Sequence, residues 1–332
     1  MRSAQRSYFP ERVTACTIVY IPERSGFFEH SLEVLKACLT SMRATTAVPF
    51  DLFVLDNGSC AEVRDYLHDL YSVGYIQGLF LSASNMGKGG AWNVLLPACP
   101  GEYIAYCDSD IGFRVGWLED SLRIFQAFPS VGTVTARPFR TPSSRVDHVL
   151  SSTLEYAASA IDINVARGDL LDRTVLEEHL EDAGQDPNAL NAYDDIRLSV
   201  DNVVAYAYSA HYQFLVPRAT ALRVLPIEHR DAMTKTERIW DERINQLGLL
   251  RLSTNRPLVR HLANSLPPDE DFASDEVAQA DSEKGQDAVA GHTRTHISVV
   301  TQVLRKVAKR RLGRLILRKA YLALFKGLQS DS

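Results

Sequence analysis

Short apolar runs alternate with helix-like segments through the first 140 residues, and this alternation limits the possible fold more than any other feature. Five runs have the length and residue types of buried strands: 13–21, 50–56, 76–82, 102–108 and 131–136. The segments between them space their apolar residues as helices do: 31–42, 60–74, 89–98 and 115–128. Strands that alternate with helices predict βαβ units. We therefore expect an α/β fold with a mostly parallel sheet and helices on both faces.

Polar residues follow four of the predicted strands. They are Pro22-Glu23-Arg24, Asp56-Asn57-Gly58-Ser59, Ser84-Asn85 and Asp108-Ser109-Asp110. In parallel sheets, ligands bind at the carboxyl ends of the strands. One such turn would be read as a cap for the next helix. Four turns together, one of them with two acids, favour a binding site along one edge of the sheet.

The two acids Asp108 and Asp110 suit a divalent cation. Separated by one residue at the end of a strand, they can face the same ligand if the strand breaks there. Carboxylate oxygens suit Mg²⁺ and Mn²⁺, which in proteins are often shared with the phosphates of a substrate. The stretch "DSD" occurs by chance in many chains and does not by itself identify a metal site. The interpretation therefore depends on the segments that surround it.

Four segments in this order, "TIVYIP", "VLDNGS", "NMGKGGAWN" and "YIAYCDSD", resemble the nucleotide-sugar half of GT-A glycosyltransferases, most closely the inverting family 2. The resemblance covers about 13–136 and extends more loosely to about 265. It implies Mn²⁺ or Mg²⁺ as cofactor and a nucleotide-diphosphate sugar as donor. It implies a donor site with Pro22, Glu23 and Asp56 at the nucleoside, Asn85 and Lys88 at the phosphates or sugar, Asp108 at the ribose or a metal-bound water, and Ser109 as a further donor-binding residue. It also implies a metal site with Asp110 as a ligand and Asp108 as a second.

Family 2 enzymes also carry an acid that deprotonates the acceptor hydroxyl, often within a Glu-Asp pair, and a later His that completes the metal site. The resemblance makes Asp241 the first candidate for the general base, Glu237 the second, and His261 the metal ligand. The adjacent pair is not intact, since Arg238 follows Glu237. Trp240 would give Asp241 the apolar setting that raises a carboxylate pKa towards neutrality. The structural alternative is a helix acid paired with a neighbouring arginine.

The resulting hypothesis is a metal-dependent glycosyltransferase that acts with inversion on a hydroxyl of a glycan or lipid-linked glycan. A retaining GT-A enzyme remains an alternative. A sugar nucleotidyltransferase would need a Gly-rich basic loop after the first strand, and "PERSGFFEH" does not match one. A catalytically silent module that tethers a partner at a membrane would have no need of "DSD". Neither a P-loop nor the dinucleotide motif G-x-G-x-x-G follows the first strand.

The resemblance implies a donor half at 1–140 and an acceptor half at 141–268, and composition predicts an acidic linker at 269–291 and a basic tail at 292–332. The tail has no acid between 292 and 330, and its apolar spacing predicts an amphipathic helix. Such a helix favours an anionic membrane surface, with docking on the domain or on a partner chain as the alternative.

Several function classes are disfavoured. A formal net charge of −5 argues against nucleic acid as a partner. The five cysteines form no CxxC pair, which is typical of reduced thiols in a cytosolic protein. The sequence shows no signal peptide and no run of apolar residues long enough to span a bilayer. We therefore expect a cytoplasmic protein, peripheral at the inner face of the plasma membrane.

Overall fold

The computed structural model describes residues 8–142, 163–183, 193–228, 233–264 and 266. The strands are β1 Val13–Val19, β2 Phe50–Asp56, β3 Gly78–Leu81, β4 Tyr103–Asp108, β5 Ile111–Phe113, β6 Val131–Thr135, β7 Thr141–Pro142, β8 Asn164–Gly168, β9 Tyr193–Val200, β10 Val203–Ala207, β11 Gln213–Pro217, β12 Leu250–Thr254 and β13 Val259–His261. The α-helices are α1 Ser31–Ala44, α2 Ala61–Ser72, α3 Gly87–Ala98, α4 Trp117–Ala127, α5 Arg173–Ala183, α6 Arg218–Val224 and α7 Met233–Gln246. A short 3₁₀ helix covers Gly26–Phe28.

The first half of the chain forms a parallel sheet in the order β3-β2-β1-β4. β1, β2 and β4 coincide within a few residues with predicted apolar runs, because they are buried on both faces and therefore mostly apolar. β3 also falls within a predicted run, although it lies at the edge of the sheet and is only partly buried. The predicted α/β fold with helices between strands is confirmed.

The second half continues the same sheet with strands of mixed direction. β11 lies between β4 and β6 and is antiparallel to both, while β12 runs parallel to β6. β10, β9, β8 and β7 then extend the sheet with antiparallel pairs. The sheet as a whole is mixed, since the antiparallel strands come from the region where the sequence pattern is weakest. The predicted donor and acceptor halves share this one sheet.

Two layers of helices cover the parallel strands. The core on one face joins α1, α2 and α4 to the apolar side chains of β1, β2 and β4. The core on the other face joins α3, α6 and α7 to the opposite side chains of the same strands. Trp92 and Trp117 are buried in these two cores, as the sequence predicts. α3 and α7 thus pack side by side on one face, which brings the glycine-rich segment and the acceptor-side acids together.

A small separate sheet completes the frame of the site. β13 pairs with β5 in antiparallel register, and His261 lies opposite Ile111. The amide of Leu262 donates a hydrogen bond of 2.7 Å to the carbonyl of Asp110. The sequence did not predict β5. Its pairing with β13 places a residue from the end of the described chain beside the two acids.

The acidic linker at 269–291 and the basic tail at 292–332 lie outside the described residues. In the part of the chain that the structure describes, no helix combines the length and apolar character needed to cross a bilayer. All five cysteines are free thiols.

Candidate functional site

The carboxyl ends of the four parallel strands meet at one edge of the sheet. In the strand register Val19 pairs with Asp56, Asp56 with Leu81, and Ile18 with Asp108. The polar turns that follow these strands therefore lie side by side, as the sequence predicts. This edge is the candidate site.

Asp56 is the most buried acid at this edge, with none of its surface exposed. One carboxylate oxygen accepts a 3.0 Å hydrogen bond from the amide of Ser59, and the other has no hydrogen-bond partner. The Ser59 hydroxyl in turn accepts a 3.0 Å hydrogen bond from the amide of Ile21. A buried carboxylate oxygen without a partner costs free energy. Asp56 therefore has an acceptor available for a ligand donor beside Pro22.

Asn57 and Asn85 link the ends of β2 and β3 to the start of α3. The Asn57 amide donates a 2.9 Å hydrogen bond to Asn85 Oδ1, which also accepts one of 2.7 Å from the amide of Gly87. Asn57 Oδ1 accepts a hydrogen bond from the amide of Met86. These bonds hold the first turn of α3 at the edge of the sheet, while Asn85 itself remains exposed.

Gly58 sits where this turn passes closest to its neighbour, with φ at +93°. A Cβ there would lie 3.0 Å from the carbonyl carbon of Ser84 and 3.1 Å from the amide of Asn85. We expect Gly58→Ala to lower the free energy of unfolding by about 1–2 kcal/mol for the left-handed backbone and by a further 1–3 kcal/mol or so for the overlap. Gly74→Ala is the matched control, since Gly74 has φ at +78° and no atom within 4 Å of the added Cβ. Equal losses in urea unfolding of the two variants would contradict the role given to the close approach.

The end of β1 is fixed at the surface. Glu23 is exposed and accepts a 2.8 Å hydrogen bond from the hydroxyl of Ser25. Arg24 forms ion pairs of 2.7 Å with Glu33 of α1 and 2.8 Å with Glu62 of α2. Pro22 and Glu23 therefore border the same edge as Asp56, on a segment held by the two helices.

Lys88 of α3 is the buried cation of the site, with only 8% of its side chain exposed. Its ammonium lies 3.1 Å from Asp108 Oδ2 and 3.0 Å from Glu237 Oε1, and it contacts the carbonyl of His211 at 3.4 Å. Burial by itself would lower the pKa of Lys88, but Asp108 and Glu237 outweigh it and raise the pKa above its ordinary value. Lys88 is therefore a cation at neutral pH and links the end of β4 to α7.

Asp108 has both carboxylate oxygens engaged. Oδ2 accepts from Lys88, and Oδ1 accepts a 2.5 Å hydrogen bond from the hydroxyl of Tyr106. Burial and the neighbouring Asp108 raise the pKa of the Tyr106 phenol, so it remains a donor. Asp108 thus holds the side chains of Lys88 and Tyr106 in fixed positions within the site.

Asp110 and His261 face each other across the β5–β13 pair. Asp110 Oδ2 lies 3.4 Å from His261 Nε2, while Asp110 Oδ1 is buried without a hydrogen-bond partner. Burial raises the pKa of Asp110, His261 opposes that shift, and nearby Asp108 adds to it. Ser109, partly exposed, lies between the two acids on the turn. The pair offers a carboxylate oxygen from the turn before β5 and an imidazole nitrogen from the end of β13.

These groups fit a divalent cation in part. Across the described ranges, no three His, Cys, Asp or Glu side chains come together as a metal site. The unpartnered Oδ1 of Asp110 and the nearby Nε2 of His261 are suitable ligands for Mn²⁺ or Mg²⁺, which commonly complete their shells with phosphate oxygens and water. Asp108 offers no free oxygen as it stands. Of the three predicted metal ligands, Asp110 and His261 therefore lie together with atoms available for a cation, whereas both oxygens of Asp108 are engaged by Lys88 and Tyr106.

The two acids of α7 lie in different settings. Glu237 contacts Lys88, and Asp241 lies 2.6 Å from Arg251 Nη1 and 2.9 Å from His211 Nε2. One turn of helix separates the two acids, so they share a helix face. Both belong to the same charged cluster, which contains Lys88 and Asp108.

Trp240 does not supply the apolar cover that the sequence led us to expect for Asp241. Its ring is buried against Trp92 at 5.2 Å and Phe214 at 5.0 Å, within the core. Consecutive residues on a helix point in different directions, so Asp241 is turned towards cations instead. This expectation was wrong.

His211 is one of the residues of the site, with Tyr106 and Arg251, that sequence reasoning did not assign. It precedes β11 and meets α7 only because that strand is inserted beside β4. The available signal was slight: one imidazole in the stretch "YSAHYQF", between small and aromatic residues at the start of a strand.

A family model and a curated relative each match part of the chain. Residues 27–178 match the model of "Glycosyl transferase family 2". A relative described as "Uncharacterized glycosyltransferase alr2836", from Nostoc sp. (strain PCC 7120 / SAG 25.82 / UTEX 2576), is 27% identical over 100 residues, which are 30% of this chain. The chain spans 31% of the length of that relative.

Three solved structures are similar in part. S. aureus TarS 1–349 in complex with UDP-GlcNAc is 18% identical with a TM-score of 0.31, over 40% of this chain and 36% of that one. The mannosyltransferase PcManGT from Pyrobaculum calidifontis, in complex with GDP-Man and Mn²⁺, is 18% identical with a TM-score of 0.31, over 44% and 40%. GalNAc-T7 with UDP, GalNAc and Mn²⁺ is 12% identical with a TM-score of 0.44, over 82% and 48%. At these scores the similarities carry no argument about the ligands of this chain.

Proposed function

We propose that the chain, which matches the model of glycosyl transferase family 2 over residues 27–178, is a GT-A glycosyltransferase that transfers a sugar from a nucleotide-diphosphate sugar to a hydroxyl, with inversion and with Mn²⁺ or Mg²⁺. One observation carries the proposal. Asp56 and Asp110, at the same edge of the sheet, each keep one buried carboxylate oxygen without a hydrogen-bond partner. Folding tolerates such oxygens where a ligand supplies the missing partner.

The donor lies along this edge in the proposal. Asp56 accepts a hydrogen bond from the nucleoside, beside Pro22 and Glu23. Asn85, on the exposed turn before α3, faces the phosphates or the sugar. The first amides of α3 point towards the same edge, where a helix N-terminus favours negative charge. Ser109 borders the phosphates on the turn between the two acids.

The leaving diphosphate gains negative charge as its bond to the anomeric carbon breaks. Asp110 and His261 would hold the cation, and a bound cation would supply the Lewis acid that neutralises this charge. Lys88 adds a fixed positive charge in a buried setting, where electrostatic interactions are stronger than in water. Asp108 holds Lys88 in place, and the positive charge of Lys88 balances the negative charge of Asp108.

Inversion needs a base on the acceptor side. Glu237 is connected to Asp108 through Lys88, so its carboxylate lies close to the donor end of the site. Asp241 is held by Arg251 and by His211, which leaves it less free to accept a proton. We therefore assign the base to Glu237 and give Asp241 a supporting role. This order reverses the one that the resemblance suggested.

A panel of nucleotide sugars tests the proposal. UDP- and GDP-sugars, among them UDP-N-acetylglucosamine and GDP-mannose, are screened for thermal stabilisation with and without Mn²⁺ and for release of the nucleotide. We expect one nucleotide sugar to stabilise the protein only when the cation is present. The same nucleotide sugar should be hydrolysed slowly by the protein in the absence of an acceptor. No stabilisation and no hydrolysis across the panel would contradict the proposal. The configuration of the product then separates inversion from the retaining alternative.

We further propose that the acceptor is a glycan or lipid-linked glycan at the inner face of the plasma membrane. The support is the acid-free stretch 292–330 with its helical apolar spacing, which lies outside the described residues. A basic amphipathic helix binds anionic lipid through both faces.

Deleting residues 292–332 tests this location. The truncated protein should keep its fold and its nucleotide binding, and should lose affinity for vesicles that contain phosphatidylserine. Binding by the full chain should weaken with salt, because exposed charges are screened beyond about 8 Å at physiological ionic strength. Sedimentation with vesicles and thermal unfolding are the measurements. A large fall in melting temperature, with no vesicle binding by the full chain, would place the tail in the core or at a subunit interface.

A further inference from the structure

His211 lies between the two acids of α7. Its Nε2 is 2.9 Å from Asp241 Oδ1, and its Nδ1 is 3.8 Å from Glu237 Oε2. Only 16% of its side chain is exposed. Its own backbone carbonyl contacts Lys88, so the imidazole and the ammonium flank Glu237 together.

A neutral imidazole has one N–H donor and one lone pair, and Asp241 is the nearer carboxylate acceptor for that N–H. With Nε2 as the donor towards Asp241, Nδ1 presents its lone pair to Glu237. The arrangement follows the logic of a carboxylate–imidazole pair that serves a third group.

Arg251 fixes the other side of Asp241. Its guanidinium is 5% exposed, lies 2.6 Å from Asp241 Oδ2 and stacks over the ring of Tyr208 at 4.8 Å. Asp241 is thus held between a cation and the imidazole. The four residues Arg251, Asp241, His211 and Glu237 form one chain of contacts from β12 to the donor end of the site.

Neither contact of His211 is a hydrogen bond in the structure. Nε2 of His211 and Oδ1 of Asp241 are within hydrogen-bond distance but not aligned as a hydrogen bond. The 3.8 Å between Nδ1 and Glu237 is longer than a hydrogen bond. Catalytic hydrogen bonds are commonly long or poorly aligned before the substrate binds, and tighten in the complex.

We propose that His211 is a positioning residue for the transfer, which orients Glu237 and takes the acceptor proton from it. The inference rests on the proposed function. The acceptor oxygen forms its bond to the anomeric carbon, the bond from that carbon to the diphosphate breaks, and the diphosphate leaves with the electron pair. The acceptor proton passes to Glu237 and then to Nδ1 of His211. The imidazolium formed there lies between two carboxylates.

The other neighbours of Glu237 and Asp241 do not take this role. Lys88 is a protonated ammonium with no lone pair, and Arg251 remains charged at any ordinary pH. The charged groups that face His211 are Glu237 and Asp241, with Lys88 and Arg251 beyond them.

The test compares the His211→Gln variant with the parent protein, both as the full-length chain. Hydrolysis and transfer are measured with whichever UDP- or GDP-sugar of the panel gives the fastest turnover. We expect kcat to fall about 10- to 100-fold, the scale of an assisting proton transfer. We expect KM for the donor and the Mn²⁺-dependent affinity for the free nucleoside diphosphate to change less than about twofold, because His211 lies on the acceptor side. His68→Gln, at an exposed position of α2, is the matched control and should behave as the parent.

Double variants separate a shared proton path from a merely structural effect. Asp241→Asn should lower kcat because an amide no longer dictates the tautomer of His211. In the double variant His211→Gln/Asp241→Asn, kcat should equal that of His211→Gln, since both changes act through one path. Additive losses, or equal losses of kcat and of nucleotide affinity, would overturn the inference.

The outcome also distinguishes this inference from the proposed function. Full activity of His211→Gln together with a large loss in Glu237→Gln would overturn the role of His211 and leave Glu237 as the base. Full activity of both variants would overturn both assignments.

Discussion

Asp110→Ala is expected to abolish cation-dependent binding of a nucleoside diphosphate and to lower turnover by about 1,000-fold or more, at the upper end of losses for a group that stabilises developing charge. Asp110 has a buried carboxylate oxygen without a partner and lies 3.4 Å from His261, so its removal leaves one protein ligand for the cation. Calorimetric titration with UDP or GDP, with and without Mn²⁺, measures the affinity. Asp65→Ala, on the exposed face of α2, is the control. Unchanged Mn²⁺-dependent affinity in Asp110→Ala would show that the cation is not held there.

The stability of Asp110→Asn distinguishes loss of a ligand from damage to the fold. The pKa of Asp110 is raised by burial in the folded protein, so its ionisation at neutral pH costs stability. An acid whose pKa is higher in the folded than in the unfolded protein contributes fully to the free energy of unfolding at low pH. This contribution disappears as the pH rises through the pKa of the folded state. The neutral Asn variant should therefore melt at or above the temperature of the parent at pH 7, with a smaller difference in acid. A lower melting temperature at pH 7 would point to a structural role.

Glu237→Gln is expected to lower kcat about 100-fold or more while the affinities for donor and cation are kept, which is the pattern for loss of a general base. Its carboxylate meets Lys88 at 3.0 Å, and Lys88 meets Asp108, so the acid lies next to the donor end of the site. The amide of Gln still accepts a hydrogen bond from Lys88, which limits damage to the fold. Rates under saturating donor, together with nucleotide titrations, are the measurement.

Two comparisons define the result. Glu242→Gln changes an exposed acid of the same helix and should leave turnover unchanged. Asp241→Asn should lower kcat less than Glu237→Gln does, because Asp241 is held by Arg251 and acts through His211. The opposite order, with Asp241→Asn nearly inactive and Glu237→Gln active, would restore Asp241 as the base. Full activity of both would favour a retaining reaction or a base elsewhere in the chain.

The parallel half of the fold could be read from the sequence because its signals are local. Buried parallel strands are apolar runs, amphipathic helices repeat their apolar residues every 3–4 positions, and polar residues mark the strand ends. Once β1, β2 and β4 are parallel, the turns after them must share an edge. Asp56, Asn85 and the pair Asp108 and Asp110 could be placed together for this reason.

The contacts within the site were decided by the tertiary structure. Lys88 and Glu237 are 149 residues apart and meet because α3 and α7 cover the same face of the sheet. His211 reaches Asp241 because β11 is inserted antiparallel beside β4, and His261 reaches Asp110 through the β5–β13 pair. Whether a helix acid faces solvent, the core or a cation depends on how the helix is rotated against its neighbours. That rotation is set by the packing of Trp240 against Trp92 and Phe214. Because these three residues come from distant segments of the chain, no local sequence pattern in any one segment predicts the rotation.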